Sequence, residues 1–172
     1  MNASNNTSAD ADTIFSPPRI EQAGPFLIAG LREPLDENAP QKIPQLWQQL
    51  ISRWDEITQR VNTVDYGLCI HLHSHEYYYM AGCGVWDFTG LPESFSPFII
   101  PSHTYAVFTH NGSVLNIRDT IDFVFDKWLP SSGYKHATAP ENALHFFERY
   151  GEKFDPDTGS GDIEIWLPVT NL

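Results

Sequence analysis

Hydrophobic and polar positions along this chain switch period several times, and each switch marks an element. After a stretch rich in Asn, Ser, Ala and Asp up to about Phe15, which reads as a disordered tail, alternation sets in. It predicts a strand over 19–33, interrupted at Gly24-Pro25, where a proline demands a bulge or an edge. From Pro40 to Val61 the period changes to that of a helix. Ile43, Leu46, Trp47, Leu50, Ile51, Trp54 and Ile57 fall on one stripe, which assigns both tryptophans to the core. Alternation returns over 66–73 and 76–88, with room between them only for a tight hairpin at Ser74-His75. A Gly, Pro and Ser loop over 89–97 then leads to a second round. A strand covers 98–109, broken early by Pro101, and His110-Asn111-Gly112-Ser113 makes a turn. A helix over 115–129 buries Ile117, Ile121, Val124, Phe125 and Trp128 and stops at Pro130. Strands over 142–150 and 162–169 complete the round.

The order strand–helix–strand–strand thus occurs twice, offset by about 80 residues, with Pro17 and Pro97 opening the copies. The expected fold is α+β: a tandem pseudo-symmetric β-α-β-β repeat. Its antiparallel sheet carries helices on one side, and a central ligand cleft lies between the halves. A single domain is expected over 16–172, behind a tail over 1–15, with half-repeats at about 18–89 and 97–170.

Charge narrows the partners. Ten basic residues face 22 acidic ones among 172, a net charge of −12. Phosphate backbones are held by Lys and Arg, so direct nucleic-acid binding is disfavoured and cationic partners or plain solubility are favoured. Aromatic residues make up 13% and include five tryptophans, enough for both core and pocket walls. Cys69 and Cys83 form no C-x-x-C pair and read as reduced thiols in strands. The start lacks a basic segment followed by an apolar one, and no apolar run reaches membrane-spanning length. A cytoplasmic protein is therefore expected.

Five segments stand out in order: Tyr79-Met-Ala-Gly82, Tyr105-Ala-Val-Phe108-Thr-His-Asn-Gly112, Trp128-Leu-Pro-Ser-Ser-Gly-Tyr134, Phe147-Glu-Arg-Tyr150 and Glu164-Ile-Trp-Leu-Pro-Val169. Together they resemble the effector-binding domains of the GyrI-like, AraC-type family. The resemblance spans nearly the whole chain. It implies a bacterial module that binds lipophilic or aromatic cations, drug-like effectors among them, and that elsewhere serves as the sensor half of transcription activators. With no spare length for a helix-turn-helix segment, the chain is expected to be a lone sensor or sequestering protein. Two alternatives travel with the family: a hydrolase detoxifying a small electrophile, and a gyrase-inhibitor-like interaction module. No cofactor is implied, and a homodimer stays open.

Alternation along 144–150 places Leu144, Phe146, Glu148 and Tyr150 on one face. A carboxylate among such neighbours loses solvation and needs either a raised pKa or a positive partner. Arg149 or Arg32 could supply that partner from within. The resemblance instead gives Glu148 the ligand's charge. It also gives Trp166, in place of the family's usual Tyr, the role of stacking wall. Glu164 shares the face of Trp166 and is a second candidate carboxylate. Tyr79, Phe108, Tyr66, Trp86 and Tyr105 are further wall candidates, and Trp128 is placed near the rim by the family motif. Were the protein an enzyme, Glu148 would activate water with a tyrosine such as Tyr105 as donor. His71, His73 and His75 alternate as a metal ladder would, but His75 falls in the turn and no Cys or Asp completes a ligand set, so no metal is expected.

Overall fold

The computed structural model describes residues 15–72, 76–137 and 143–172. Strands β1 (Arg19–Ala23) and β2 (Phe26–Pro34) are followed by helix α1 (Ala39–Ser52), then β3 (Arg60–His71) and β4 (Tyr77–Val85). The second round runs through β5 (Ser96–Ile100), β6 (His103–His110), α2 (Ile117–Phe123), α3 (Leu129–Ser131), β7 (Tyr134–His136), β8 (Ala143–Tyr150) and β9 (Ile163–Asn171). The antiparallel sheet has the order β1-β6-β9-β8-β3-β4-β2-β5, with β7 added to β9. The pairing is pseudo-symmetric. β3 and β8 meet at the centre, and each half lends a short strand to the far edge of the other: β1 to β6, and β5 to β2.

The two interruptions expected in the long strands face each other. Gly24, with φ of +92°, lies against Pro101, and a Cβ there would sit 2.7 Å from the Pro101 carbonyl oxygen. Only glycine fits that crossing. The sheet is curled. Phe26 of β2 and Trp166 of β9 have ring centroids 6.4 Å apart, although β4, β3 and β8 lie between their strands in the sheet. That contact fixes the inner face, where Ile28, Leu68, Met80, Tyr105, Phe147 and Trp166 form one cluster. The outer face carries the helices. Leu46 and Leu50 of α1 cover Ala29, Ala81 and Cys83, and Val124, beyond α2, covers Ala106, Ile165 and Leu167.

Several boundaries differ from the sequence expectation. Helix α1 ends at Ser52, and a single 3-10 turn (Trp54–Glu56) leads into β3, which begins six residues early. Ile51, expected in the core stripe, is 48% exposed. Between α2 and α3 the backbone widens into a π-helical turn (Val124–Trp128), which shifts the stripe around Trp128. Strand β7 has only three residues and carries no readable alternation. A bulge against β3 falls at His145, since Cys69 pairs with Phe146 but Ile70 with Leu144. The extra residue reverses alternation. Leu144 therefore joins the inner cluster, not the face of Glu148. Of the expected tail, Phe15 is described, its ring stacked on Phe123 at 4.2 Å, and the rest lies outside the described residues.

Candidate functional site

Glu148 points to the outer face from the middle of the sheet. Across β3 its neighbour is Gly67, and across β9 it is Ile165. The missing side chain at Gly67 is what builds the site. Tyr79 of β4 leans over β3 through that space, and its hydroxyl donates to Glu148 Oε2 at 2.7 Å. A methyl group at Gly67 would overlap both the Tyr79 hydroxyl and the Glu148 carboxylate. Tyr150, two residues on and so on the same face, donates to the same oxygen at 2.7 Å. The roof is α1. The Trp47 indole N–H donates to the Tyr79 hydroxyl at 3.1 Å, and the ring stands edge-on to Tyr150 with centroids 5.5 Å apart.

Glu148 is 6% exposed. Burial raises its carboxyl above the usual value, and the two tyrosine hydrogen bonds only partly offset this. The phenols of Tyr79 and Tyr150 are held well above their usual value by burial and then by the Glu148 charge, so both remain donors at neutral pH. Among the described residues no cation pairs with Glu148. Arg149 projects to the inner face beside Glu164, and the Arg32 guanidinium lies 5.6 Å from the Tyr78 ring centroid. Neither internal arginine partner considered from the sequence serves this carboxylate.

The structure divides the remaining candidates. Only Tyr79 joins Glu148. Phe108 and Trp128 pack edge to face at 5.0 Å under the second helical segment. Trp166, Glu164, Tyr66 and Trp86 lie along a groove of about 590 Å³ on the inner side of the sheet, together with Arg19 and Arg149. Trp166 and Glu148 therefore do not share one cup: Phe147, not Glu148, is the cross-strand partner of Trp166. Tyr105 is also an inner-face residue. Its hydroxyl donates to the Pro101 carbonyl at 2.6 Å, which removes it as a partner for Glu148 in any hydrolytic step.

Glu164 has the partners Glu148 lacks. Arg19 Nη1 donates to Oε1 at 2.7 Å, the Trp166 indole donates to Oε2 at 2.9 Å, and Arg149 stands 3.7 Å away. Residues that sequence reasoning passed over are Trp47, Tyr150 and Gly67. Tyr150 was readable from its spacing to Glu148. Trp47 sits on the helix stripe, where a core tryptophan and a roofing one look alike. Both cysteines are free and buried. His71 packs against Tyr77 with centroids 4.7 Å apart, and His73 and His75 lie outside the described residues. Among the described residues no group of three or more His, Cys, Asp or Glu is placed to hold a metal. No described helix is long and apolar enough to cross a membrane.

A curled antiparallel sheet, helices outside it and a buried carboxylate beneath one of them define a GyrI-like effector-binding domain. Residues 19–169 match the model of the integron-associated effector binding protein family, and the chain belongs to that family. The transcriptional regulator BrlR of Pseudomonas aeruginosa is 28% identical over 153 residues, covering 88% of this chain and 54% of the regulator. The chain thus spans about half the length of that curated relative. Among solved structures, SAV2435 bound to tetraphenylphosphonium superposes with a TM-score of 0.70 at 22% identity, over 90% of this chain and 94% of that one. The integron cassette protein VCH_CASS2 from Vibrio cholerae gives 0.62 at 18%, over 91% and 97%. Those two likenesses concern the fold.

Proposed function

We propose that this domain binds a small lipophilic or aromatic organic cation, with Glu148 taking the charge and Trp47, Tyr79 and Tyr150 forming the aromatic surround. The observation that carries this reading is a buried carboxylate served by two neutral phenols and by no cation among the described residues. Hydroxyl donors reduce the desolvation cost of a carboxylate without cancelling its charge, so a desolvated cation gains more here than in water. A delocalised cation also gains about 0.5–2 kcal/mol against an aromatic face. The net charge of −12 adds a field that draws cations in. That a protein of the same fold was solved with tetraphenylphosphonium supports the ligand class.

Because Glu148 is nearly covered, contact requires the Trp47 indole to swing aside. This breaks one neutral hydrogen bond and the edge-on contact with Tyr150, at a combined cost of about 2 kcal/mol. The test is titration with tetraphenylphosphonium against neutral triphenylphosphine oxide, followed by tryptophan fluorescence and calorimetry. The cation is expected to bind more tightly, and Glu148→Gln to weaken it about thirtyfold while leaving the neutral compound unchanged. Equal affinities for the two compounds in the native protein would remove the charge argument.

A further inference from the structure

We infer that the inner groove is a second, separate binding site, and that its ligand is a flat aromatic carboxylate rather than a cation. The groove lies on the opposite side of the sheet from Glu148. Its floor and walls come from Arg19, Tyr66, Trp86, Arg149, Glu164 and Trp166.

The charge in this groove is arranged in the opposite sense to that at Glu148. The acidic group on the floor, Glu164, is 14% exposed and already serves two arginines and an indole. Glu21 sits at the rim, where its carboxylate is taken by Arg19 Nε at 2.9 Å. Arg19 is thus held between two carboxylates, its guanidinium 5.6 Å from the Trp166 ring centroid. Arg149 is held by less, with the Tyr66 hydroxyl and one carboxylate as its neighbours. Glu164, at 3.7 Å, is beyond direct hydrogen-bond distance, and it is the carboxylate paired with Arg149 among the described residues. The five donors of a guanidinium form a planar fork that matches a carboxylate. Arg149 therefore offers the groove a cation with donors to spare. The chain has six arginines, and two of them line this one groove, although acidic residues outnumber basic ones by about two to one.

The aromatic surface points to what the carboxylate is attached to. Trp86, at the groove mouth, is 70% exposed. An exposed indole beside a concave surface marks a place where a flat apolar group can be covered. Tyr66 and Phe26 continue that surface inward, 6.3 Å apart and tilted by 31°. A fused bicyclic acid would lay its rings against Trp86 and Tyr66 and bring its carboxylate to Arg149. The groove is open along one side, so it encloses such a ligand only in part. Affinity in the high micromolar to millimolar range follows.

The experiment is a titration of the full chain, carrying ¹⁵N-labelled tryptophan, with 2-naphthoate, 2-naphthamide and 2-naphthylmethylammonium. The indole signals are assigned through Trp86→Phe and Trp166→Phe. Naphthoate is expected to shift the Trp86 and Trp166 indole signals and to bind about tenfold more tightly than the amide. Arg149→Gln is expected to abolish that tenfold difference, and Trp86→Ala to weaken acid and amide alike. Glu148→Gln is expected to leave naphthoate binding unchanged, which separates this site from the cation site whether or not that one exists. The inference is overturned if the ammonium compound binds the groove as well as the acid or better. It is overturned equally if naphthoate binding ignores Arg149 or disappears in Glu148→Gln. A Trp86 signal that moves with protein concentration and not with naphthoate would make the groove a self-association surface, and would overturn it too.

Discussion

Glu148 and Glu164 sit on adjacent strands, each with an indole and an aromatic wall nearby, yet they face opposite sides of one sheet and differ in their partners. Glu164 is the more exposed of the two but is matched by two guanidiniums. Glu148 is almost wholly covered but, among the described residues, is met by phenols alone. Burial by itself does not make a carboxylate a site, and the charge of its hydrogen-bond donors decides whether it still needs a cation. A guanidinium completes the ion pair and leaves little for a ligand to gain. A hydroxyl lowers the cost of burial and leaves the charge in place. Consecutive residues carry this division through the sheet: Glu148 gives the outer face an anion, and Arg149 gives the inner face a cation.

The largest effect that could break the comparison lies at Gly67. The outer site exists because β3 has no side chain where Tyr79 crosses it. Gly67→Ala forces a methyl group into the space of the phenol and the carboxylate. Overpacking of this kind is expected to cost about 3 kcal/mol, read as a lowered urea midpoint with an unchanged slope, and to abolish tetraphenylphosphonium binding. A Gly67→Ala protein with native stability and native cation affinity would show that Tyr79 reaches Glu148 by some other route.

A smaller effect follows from protonation. Burial raises the Glu148 carboxyl, so over the interval between its unfolded and folded values the native chain holds the proton that the unfolded chain has lost. Stability must then fall as pH rises through that interval, and the cost is complete above the folded value. Asp65, on the same outer face beneath the 3-10 turn, behaves alike. Burial pushes it up to about 6 against the opposing pull of Arg60. On acidification from pH 7.5 towards 5 these two carboxyls are expected to add stability, while His145, which burial holds down to about 4, and His136, lowered likewise, take stability away. Glu148→Gln is expected to gain about 1–2 kcal/mol at pH 7.5 and to remove its share of the rise on acidification, and adding Asp65→Asn to remove the other share, leaving the opposite slope of the buried histidines. Stability gained together with cation binding lost is the signature of a group kept for function. A Glu148→Gln protein less stable than the native one at pH 7.5 would make the carboxylate structural instead.

How much of this the sequence discloses depends on how far apart the interacting residues are. The doubled strand–helix–strand–strand order, the strand breaks at Gly24-Pro25 and Pro101, and the shared face of Glu148 and Tyr150 all follow from local period and local turn chemistry. Alternation within β9 likewise separates Glu164 and Trp166 from Ile165 and Leu167, as the structure shows. Alternation cannot give the register between strands. Pairing Glu148 with Ile165, instead of with its neighbour in the chain, sends Glu148 and Trp166 to opposite faces, and no feature within either strand encodes that choice. The bulge at His145 is hidden for the same reason, since it is a mismatch between two strands. The roles of Gly67 and Trp47 emerge only once β4 crosses β3 and α1 lies down over both.

The finest test of the comparison is Glu164→Gln, because it changes one face by little and the other not at all. The pair is partly solvated, with side-chain exposures of 49% for Arg19 and 30% for Arg149, so the loss of stability is expected to be about 0.5 kcal/mol or less. Tetraphenylphosphonium affinity is expected to stay within experimental error, since Glu148, the carboxylate proposed for the cation, is on the far side of the sheet. Naphthoate affinity is expected to rise about two- to threefold, because Arg149 loses its competing anion while Arg19 keeps Glu21. If Glu164→Gln instead weakens the cation as strongly as Glu148→Gln does, the two carboxylates act in one pocket. The separation of faces would then fail as an account of how this sheet sorts its ligands.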